Sequence, residues 1–273
     1  MRFGFSRFLV VLAATGLLAT PAAAHRQWML PSSTVVSGDG VWVTVDAAVS
    51  NDLFYFEHQP MRLGNVKAWA PDGSELQLQN SSTGRYRSTF DLQLNQRGTY
   101  RVANVGTGIG GTFKVGTEER RLPRGTTAEQ LATAIPTDAT DVRISESQNR
   151  VEFFVTSGEP TTTVLAPTNR GLEMVPVTHP NDLVVGEAAR FRFLIDGRPA
   201  ANIEVHVVEG GIRYRDQLND RTLRTDANGE LSVDWPNPGF YWLNAEASDT
   251  NTSTPRATQR RLNYVATLEV MPS

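Results

Sequence analysis

The chain has 273 residues, with 26 Lys and Arg against 29 Asp and Glu, a formal net charge of −3 and no cysteine. That balance lacks the basic patch or stripe of a nucleic-acid-binding surface, so no nucleic-acid partner is expected. The missing thiol excludes disulfides, Cys-ligated metals and a thiolate nucleophile.

The first segment, "MRFGFSRFLVVLAATGLLATPAAA", pairs Arg2 and Arg7 with an apolar run from Phe8 to Leu18 and small residues at Ala22 and Ala24. It reads as a secretory signal, residues 1–24, and is too short and wrongly flanked for a membrane span. The mature chain then begins at His25 and keeps 249 residues. With Arg2 and Arg7 gone, 24 basic side chains face 29 acidic ones, a net charge of −5. No second long apolar run follows, so the expected product is periplasmic, with no membrane insertion after processing.

Period-two patterning dominates from there. In "VWVTVDA" Val41, Val43 and Val45 share one face, and Trp42, Thr44 and Asp46 the other. "VKAWAPDGSELQLQ" predicts two short strands joined through Pro71-Asp72-Gly73, and "RSTFDLQLNQRGTYRVANV" alternates again around Arg97-Gly98. The best helical candidate is "TTAEQLATAI", near residues 127–135, with Thr126 or Thr127 as cap, Glu129 or Gln130 at the third helical position, and Pro136 ending it.

"TDVRISESQNRVEFFVTSGEP" returns to strand patterning. The polar strings "EPTTT" and "APTNRG" then mark a boundary near residues 166–170, giving domains 25–168 and 169–273. In the second, Phe191, Phe193 and Ile195 alternate with arginines and Leu194, and Ile203, Val205 and Val207 repeat the pattern after Asp196-Gly197. "TLRTDANGELSVDWPNPGFYWLNAEAS" supplies further strands. "RGTYRVANV" and "PGFYWLNAE" echo one another, and two readings stand equally: each tyrosine hydroxyl reaches nearby backbone as in a tyrosine corner, or Gly-x-Tyr is only a common turn followed by a strand-forming residue. The pattern predicts an all-β protein with tandem immunoglobulin-like sandwich domains and one short helix.

"AHRQWMLP", "GLEMVPVTHPNDLVVGE", "FLIDGRPAANIEV", "RTDANGELSVDWPNPGFYWLNA" and "NYVATLEV" together resemble the DUF4198 family over nearly the whole mature chain. The resemblance implies an exported protein with an immunoglobulin-like β-rich fold, of the kind described as a periplasmic component of nickel or cobalt uptake. The segment "SSTVVSGDGVWVTVDAAVSNDLFYFEHQP" resembles a proteobacterial branch found alongside outer-membrane receptors. The partners this implies are a TonB-dependent outer-membrane receptor or an inner-membrane metal transporter.

The candidate metal ligands are the four histidines. Cleavage after Ala24 would give His25 two nitrogen donors, the α-amine and the imidazole, with reference pKa values near 8 and 6.5. A divalent metal displaces protons from both near neutral pH. Residue 27 is Gln rather than the third histidine of an amino-terminal copper- and nickel-binding motif, so His25 needs a distant partner. His58, in "DLFYFEHQP", is the leading one, and by pattern equally an ordinary strand-end histidine; a continuing strand would set it beside Phe56 and put Glu57 on the opposite face with Tyr55, a restriction that a turn at Gln59 would relax. His206 shares an outward face with Glu204, and His179 sits in a loop held by Pro180; both are also ordinary surface or loop residues by pattern. The cofactor expected is a transition-metal ion, nickel, cobalt or copper.

"DANGE" carries Asp226, Asn228 and Glu230, but without EF-hand spacing an Asx turn explains it. "GTGIGG" lacks the Lys-Ser/Thr and the helix of a phosphate loop. The expected function is a periplasmic transition-metal-binding accessory protein in uptake or homeostasis, and not an enzyme. The alternatives are a histidine-brace copper enzyme and a metal-free protein- or carbohydrate-interaction module.

Overall fold

The computed structural model describes residues 25–273; the expected signal, residues 1–24, lies outside them. Strands and the turns between them account for nearly all of the described chain.

The alternation seen in the sequence does bury one face where a strand has one core to cover. Val43, Val45, Phe90 and Leu92 are fully buried, while Trp42 and Thr44 stand outward. These residues belong to a five-stranded antiparallel sheet in which Val41–Ser50 lies between the first strand, Arg26–Pro31, and Ser88–Leu94. A four-stranded sheet built on Ala189–Ile195 and Leu172–Pro176 forms a second outer layer.

Between them lies a ten-stranded sheet whose central strands are apolar on both faces. Phe153 and Val155 enter one core and Phe154 the other. Val208, Trp242 and Val265 face the first core, whereas Val207, Tyr241, Leu243, Tyr264 and Ala266 face the second. Because successive side chains point to opposite sides of a strand, the two main cores lie on opposite faces of one sheet. The layers stack as two immunoglobulin-like sandwiches that share their middle sheet. The joint is the parallel pairing of Thr140–Ser157 with Ala257–Val270, which carries the sheet across the loop near residue 168.

Both tyrosine corners are present. The Tyr100 hydroxyl donates to the Gln96 carbonyl at 2.9 Å, and the Tyr241 hydroxyl donates to Asn237 at 2.8 Å, each four residues upstream. The short helix is one turn, Leu131–Ala134. Gln130 reaches back to accept the Thr127 N–H at 3.0 Å, the side-chain half of a capping box. It is shorter than 127–135 because only its C-terminal residues, Leu131, Ala134 and Ile135, pack on a core, the satellite cluster of Phe113, Leu122 and Ile144.

"GTGIGG" lies inside the long strand Gly98–Val115. A Cβ at Gly111 would sit 2.2 Å from the Arg143 carbonyl oxygen, so the neighbouring strand's close approach accounts for the glycine. In "DANGE", Asp226 Oδ1 accepts the N–H groups of Asn228 and Glu230, both at 2.8 Å, as an Asx turn does. The strands flanking that turn enter different sheets: Arg221–Arg224 joins the ten-stranded sheet and Glu230–Val233 the four-stranded one.

Candidate metal centre

Two ladders meet at the end of the strand Val41–Ser50. The first strand pairs Arg26 with Ser50 and Trp28 with Ala48, while the two-residue strand Gln59–Pro60 pairs with Val49 and Ala48. His25 immediately precedes one of these partner strands and His58 the other. The two imidazoles consequently meet face to face, with centroids 3.8 Å apart and planes inclined by 7°. Both residues are exposed.

The loop that delivers His58 is tied from several sides. Trp28, fully buried, donates its indole N–H to the Ser50 hydroxyl at 2.8 Å, and Ser50 donates onward to the Asp52 carbonyl at 2.6 Å. Arg26 donates to the Asn51 carbonyl at 2.6 Å. Glu57 does not oppose His58 across a continuing strand. Residues 51–58 form an irregular loop, and the Glu57 carboxylate turns inward to accept the N–H groups of Asn51 and Asp52 at 2.7 and 2.9 Å. Phe54 has a φ of 61°, a left-handed conformation that costs a bulky residue of order 1–3 kcal/mol. Packing holds it there. Its ring meets Trp28 edge-on at 5.5 Å and Phe240 at 6.2 Å. Tyr55 receives the Arg213 guanidinium 3.8 Å from its ring centroid.

As stacked, the two rings hold their nitrogen lone pairs in parallel planes rather than aimed at one point. Joining one ion requires at least one ring to turn, which forfeits a stack worth about 0.5–1.5 kcal/mol. The exposure of both side chains leaves room for that motion. Two imidazoles, joined after processing by the His25 amine, form a nitrogen donor set suited to Ni²⁺ or Cu²⁺. Among the described residues there is no cluster of three or more His, Cys, Asp and Glu side chains arranged around an ion.

The other two histidines are elsewhere. His179 accepts the Asn181 N–H on Nδ1 at 3.2 Å, and its Nε2 lies 3.0 Å from the Thr99 hydroxyl and 3.3 Å from the Thr161 carbonyl. Burial pushes its pKa below the ordinary histidine value, so the neutral ring is favoured. Both nitrogens are occupied in holding a loop against the central sheet. His206 lies on the outward face of Glu204–Glu209, with Nδ1 2.9 Å from Asp220. That leaves its Nε2 as the nitrogen not engaged by the carboxylate. His25 and His206 border the same groove on the ten-stranded sheet, but only His25 and His58 touch.

A buried polar network was not anticipated from the sequence pattern. Glu152, fully buried, accepts two hydrogen bonds from Arg101, at 2.9 and 2.7 Å, and one from the Tyr264 hydroxyl at 2.7 Å. Arg150 lies between Glu152 and Glu173, whose carboxylate caps the N–H groups of Thr168 and Asn169. Burial and the Glu152 charge push the Tyr264 phenol far above its usual value, while burial's opposition to the Arg101 charge is outweighed by Glu152. The network ties Arg101, Arg150 and Glu152 of the first half of the chain to Glu173 and Tyr264 of the second.

Residues 22–249 match the model of a domain of unknown function, DUF4198, and the chain belongs to that family. Membership is consistent with a periplasmic protein exported by a cleavable leader. It supports a periplasmic accessory role. No curated protein matches the chain.

Solved structures that align with it include the D0-D1 domain of intimin, at 12% identity over 88% of this chain and 96% of that one, with a TM-score of 0.22. A DUF4785 family protein from Legionella pneumophila aligns at 8% identity over 80% of this chain and 50% of that one, with a TM-score of 0.23. The human OSCAR ligand-binding domain aligns at 15% identity over 89% and 98%, with a TM-score of 0.20. The β-sandwich assignment rests on the chain's own sheets and tyrosine corners.

Proposed function

We propose that this protein binds a transition-metal ion, nickel, cobalt or copper, in the periplasm and passes it along an uptake or homeostasis route. The ion is held by the processed N-terminus: the His25 amine and imidazole, with the His58 imidazole. The observation that carries this reading is the meeting of His25 and His58 at 3.8 Å, from positions 33 residues apart in sequence. Family membership adds the periplasmic accessory role. The partners that fit such a carrier are a TonB-dependent outer-membrane receptor on the supply side and an inner-membrane metal transporter on the receiving side.

The test uses processing itself, because the amine donor does not exist until Ala24 is removed. Protein starting at His25 should bind Cu²⁺ or Ni²⁺ at least about tenfold more tightly, roughly 1.4 kcal/mol, than protein with one alanine restored before it. His58→Ala should weaken binding in the mature form and add little further loss in the extended form, because both changes break one chelate. Calorimetry at matched pH, with mass spectrometry of each terminus, measures both. Equal affinities for the two forms rule out the N-terminal site.

A further inference from the structure

His25 stands at the rim of an open groove of about 1400 Å³ on the ten-stranded sheet. A site that encloses one small molecule measures about 300–1,000 Å³, so this one has room for an extended guest. Val208, Trp242 and Val265 belong to the first core and also line the groove, which therefore begins where the five-stranded sheet ends. From there strand register sets Arg224, Glu204, Glu246, Asn263, Asn149 and Gly106 in one row across six adjacent strands. At about 4.8 Å per strand that row is roughly 24 Å long.

The lining is balanced in charge. Three arginines, Arg26, Arg224 and Arg261, stand against three carboxylates, Glu204, Asp220 and Glu246. Glu204 is paired with Arg224 at 3.0 Å. Neither sign is in excess, so the complementary guest is a neutral one that brings its own hydrogen-bonding groups.

The floor is built to meet such groups. Asn244 is only 6% exposed, in a row whose next members are the core residues Val265 and Val151. Its amide has one orientation: the Tyr264 carbonyl, at 3.0 Å, can only accept, so Nδ2 lies on that side. Nδ2 also donates to Asn263 at 2.6 Å, which must therefore present Oδ1 to it and turn its own Nδ2 away. Asn244 Oδ1 and Asn263 Nδ2 are left without a partner among the described residues, an acceptor and a donor on neighbouring strands of the floor. Adjacent hydroxyls of a sugar ring match such a pair, because each hydroxyl both donates and accepts.

The far end of the row is flat. A Cβ at Gly106 would touch only the Asn65 amide, at 3.7 Å, and one at Gly108 only the Ser147 hydroxyl, at 2.9 Å, which can rotate away; neither residue has a positive φ. No register shift falls at either position. Unlike Gly111, these glycines answer to no neighbouring strand, and glycine inside a strand then marks the close approach of something outside the chain.

We propose that the groove binds a neutral oligosaccharide of several units, laid across the strands with neighbouring hydroxyls on Asn244 Oδ1 and Asn263 Nδ2 and a ring face against Gly106 and Gly108. Such binding needs no ion on His25 or His58.

The test uses metal-free protein starting at His25. It is applied to an array of neutral oligosaccharides, from disaccharides to octasaccharides, beside uronate-bearing chains of the same lengths, and the strongest ligand is titrated calorimetrically. Neutral chains should be retained, longer ones better than disaccharides, with no gain from uronates. Asn263→Ala and Ser147→Trp, both at partly exposed positions and checked for folding by circular dichroism, should each weaken the titrated affinity at least tenfold, the first by removing the donor and the second by filling the floor. An array that retains no neutral chain, or only acidic ones, overturns the proposal. So does an affinity that neither substitution moves, since the sugar would then lie on another surface.

Discussion

Replacing Glu152 by Gln tests whether the shared central sheet depends on its buried charges. Glu152 is fully buried, and Arg101 and Arg150 beside it expose only 8% and 7% of their side chains. Gln keeps the volume and can still accept from Tyr264, but it presents an amide N–H₂ where Arg101 now finds a carboxylate oxygen. Two charge-assisted hydrogen bonds at about 1.5–3 kcal/mol each are lost. Glu173 alone then faces two guanidinium groups, from 4.0 Å at Arg150. Breaking a buried pair by removing one partner costs about 3–5 kcal/mol, in line with that bond count. For a domain of this size each kcal/mol moves Tm by about 2–4 °C, so the variant should melt roughly 6–20 °C lower. Urea unfolding followed by tryptophan fluorescence reads the free energy directly. A loss below about 1 kcal/mol would refute the reasoning.

Two further outcomes follow from the loops. His179 has its folded pKa held by burial below the ordinary 6.5, so the unfolded chain takes up that proton first as pH falls. The stability it contributes is present above about pH 6.5 and is lost as pH falls through the depressed folded value. His179→Gln should therefore flatten the decline in urea midpoint between about pH 7.5 and 5.5, and an unchanged slope would show the ring titrating normally. Glu57→Ala frees the Asn51 and Asp52 N–H groups and should cost roughly 1 kcal/mol, as loss of a cap does. It should weaken metal binding in the same calorimetric titration by about three- to tenfold. A loss as large as that of His58→Ala would show that Glu57 ligates the ion rather than positions its neighbour.

Much of the fold was readable wherever a strand has one dry face. Val41–Val45 and Val205–Val207 alternate because only every second residue meets a core, and Gly-x-Tyr marked both tyrosine corners. The central strands hid their role for the opposite reason. "FYWL" is an unbroken apolar run, and "VEFFV" and "YVATL" are interrupted only by the buried Glu152 and Thr267, because both faces are covered, the pattern of a sheet with layers on both sides. No local pattern states that Thr140–Ser157 will lie parallel to Ala257–Val270, and that pairing makes two sandwiches share a sheet. Glu152 shows the same limit. Its neighbours in sequence read as a strand, but its partners come from Arg101 and Tyr264, 51 and 112 residues away.

The candidate site divides along the same line. Scarcity and processing drew attention to His25, and its pairing with His58 needed only the two strands they precede to meet on Ala48 and Val49. The groove could not be foreseen, because it depends on where the covering layer ends. Trp242 donates its indole N–H to the Gln27 carbonyl at 3.0 Å, and this bond marks that edge: the first strand is fastened to the central sheet there. The residues before Gln27 therefore belong at once to the rim of the covered core and to the mouth of the open face. A histidine at that point can present its nitrogens to the open face, while the strand behind it is fixed by a fully buried Trp28. The same edge accounts for the defined position of His25: the strand that follows it is anchored two and three residues further on, through Gln27 and Trp28.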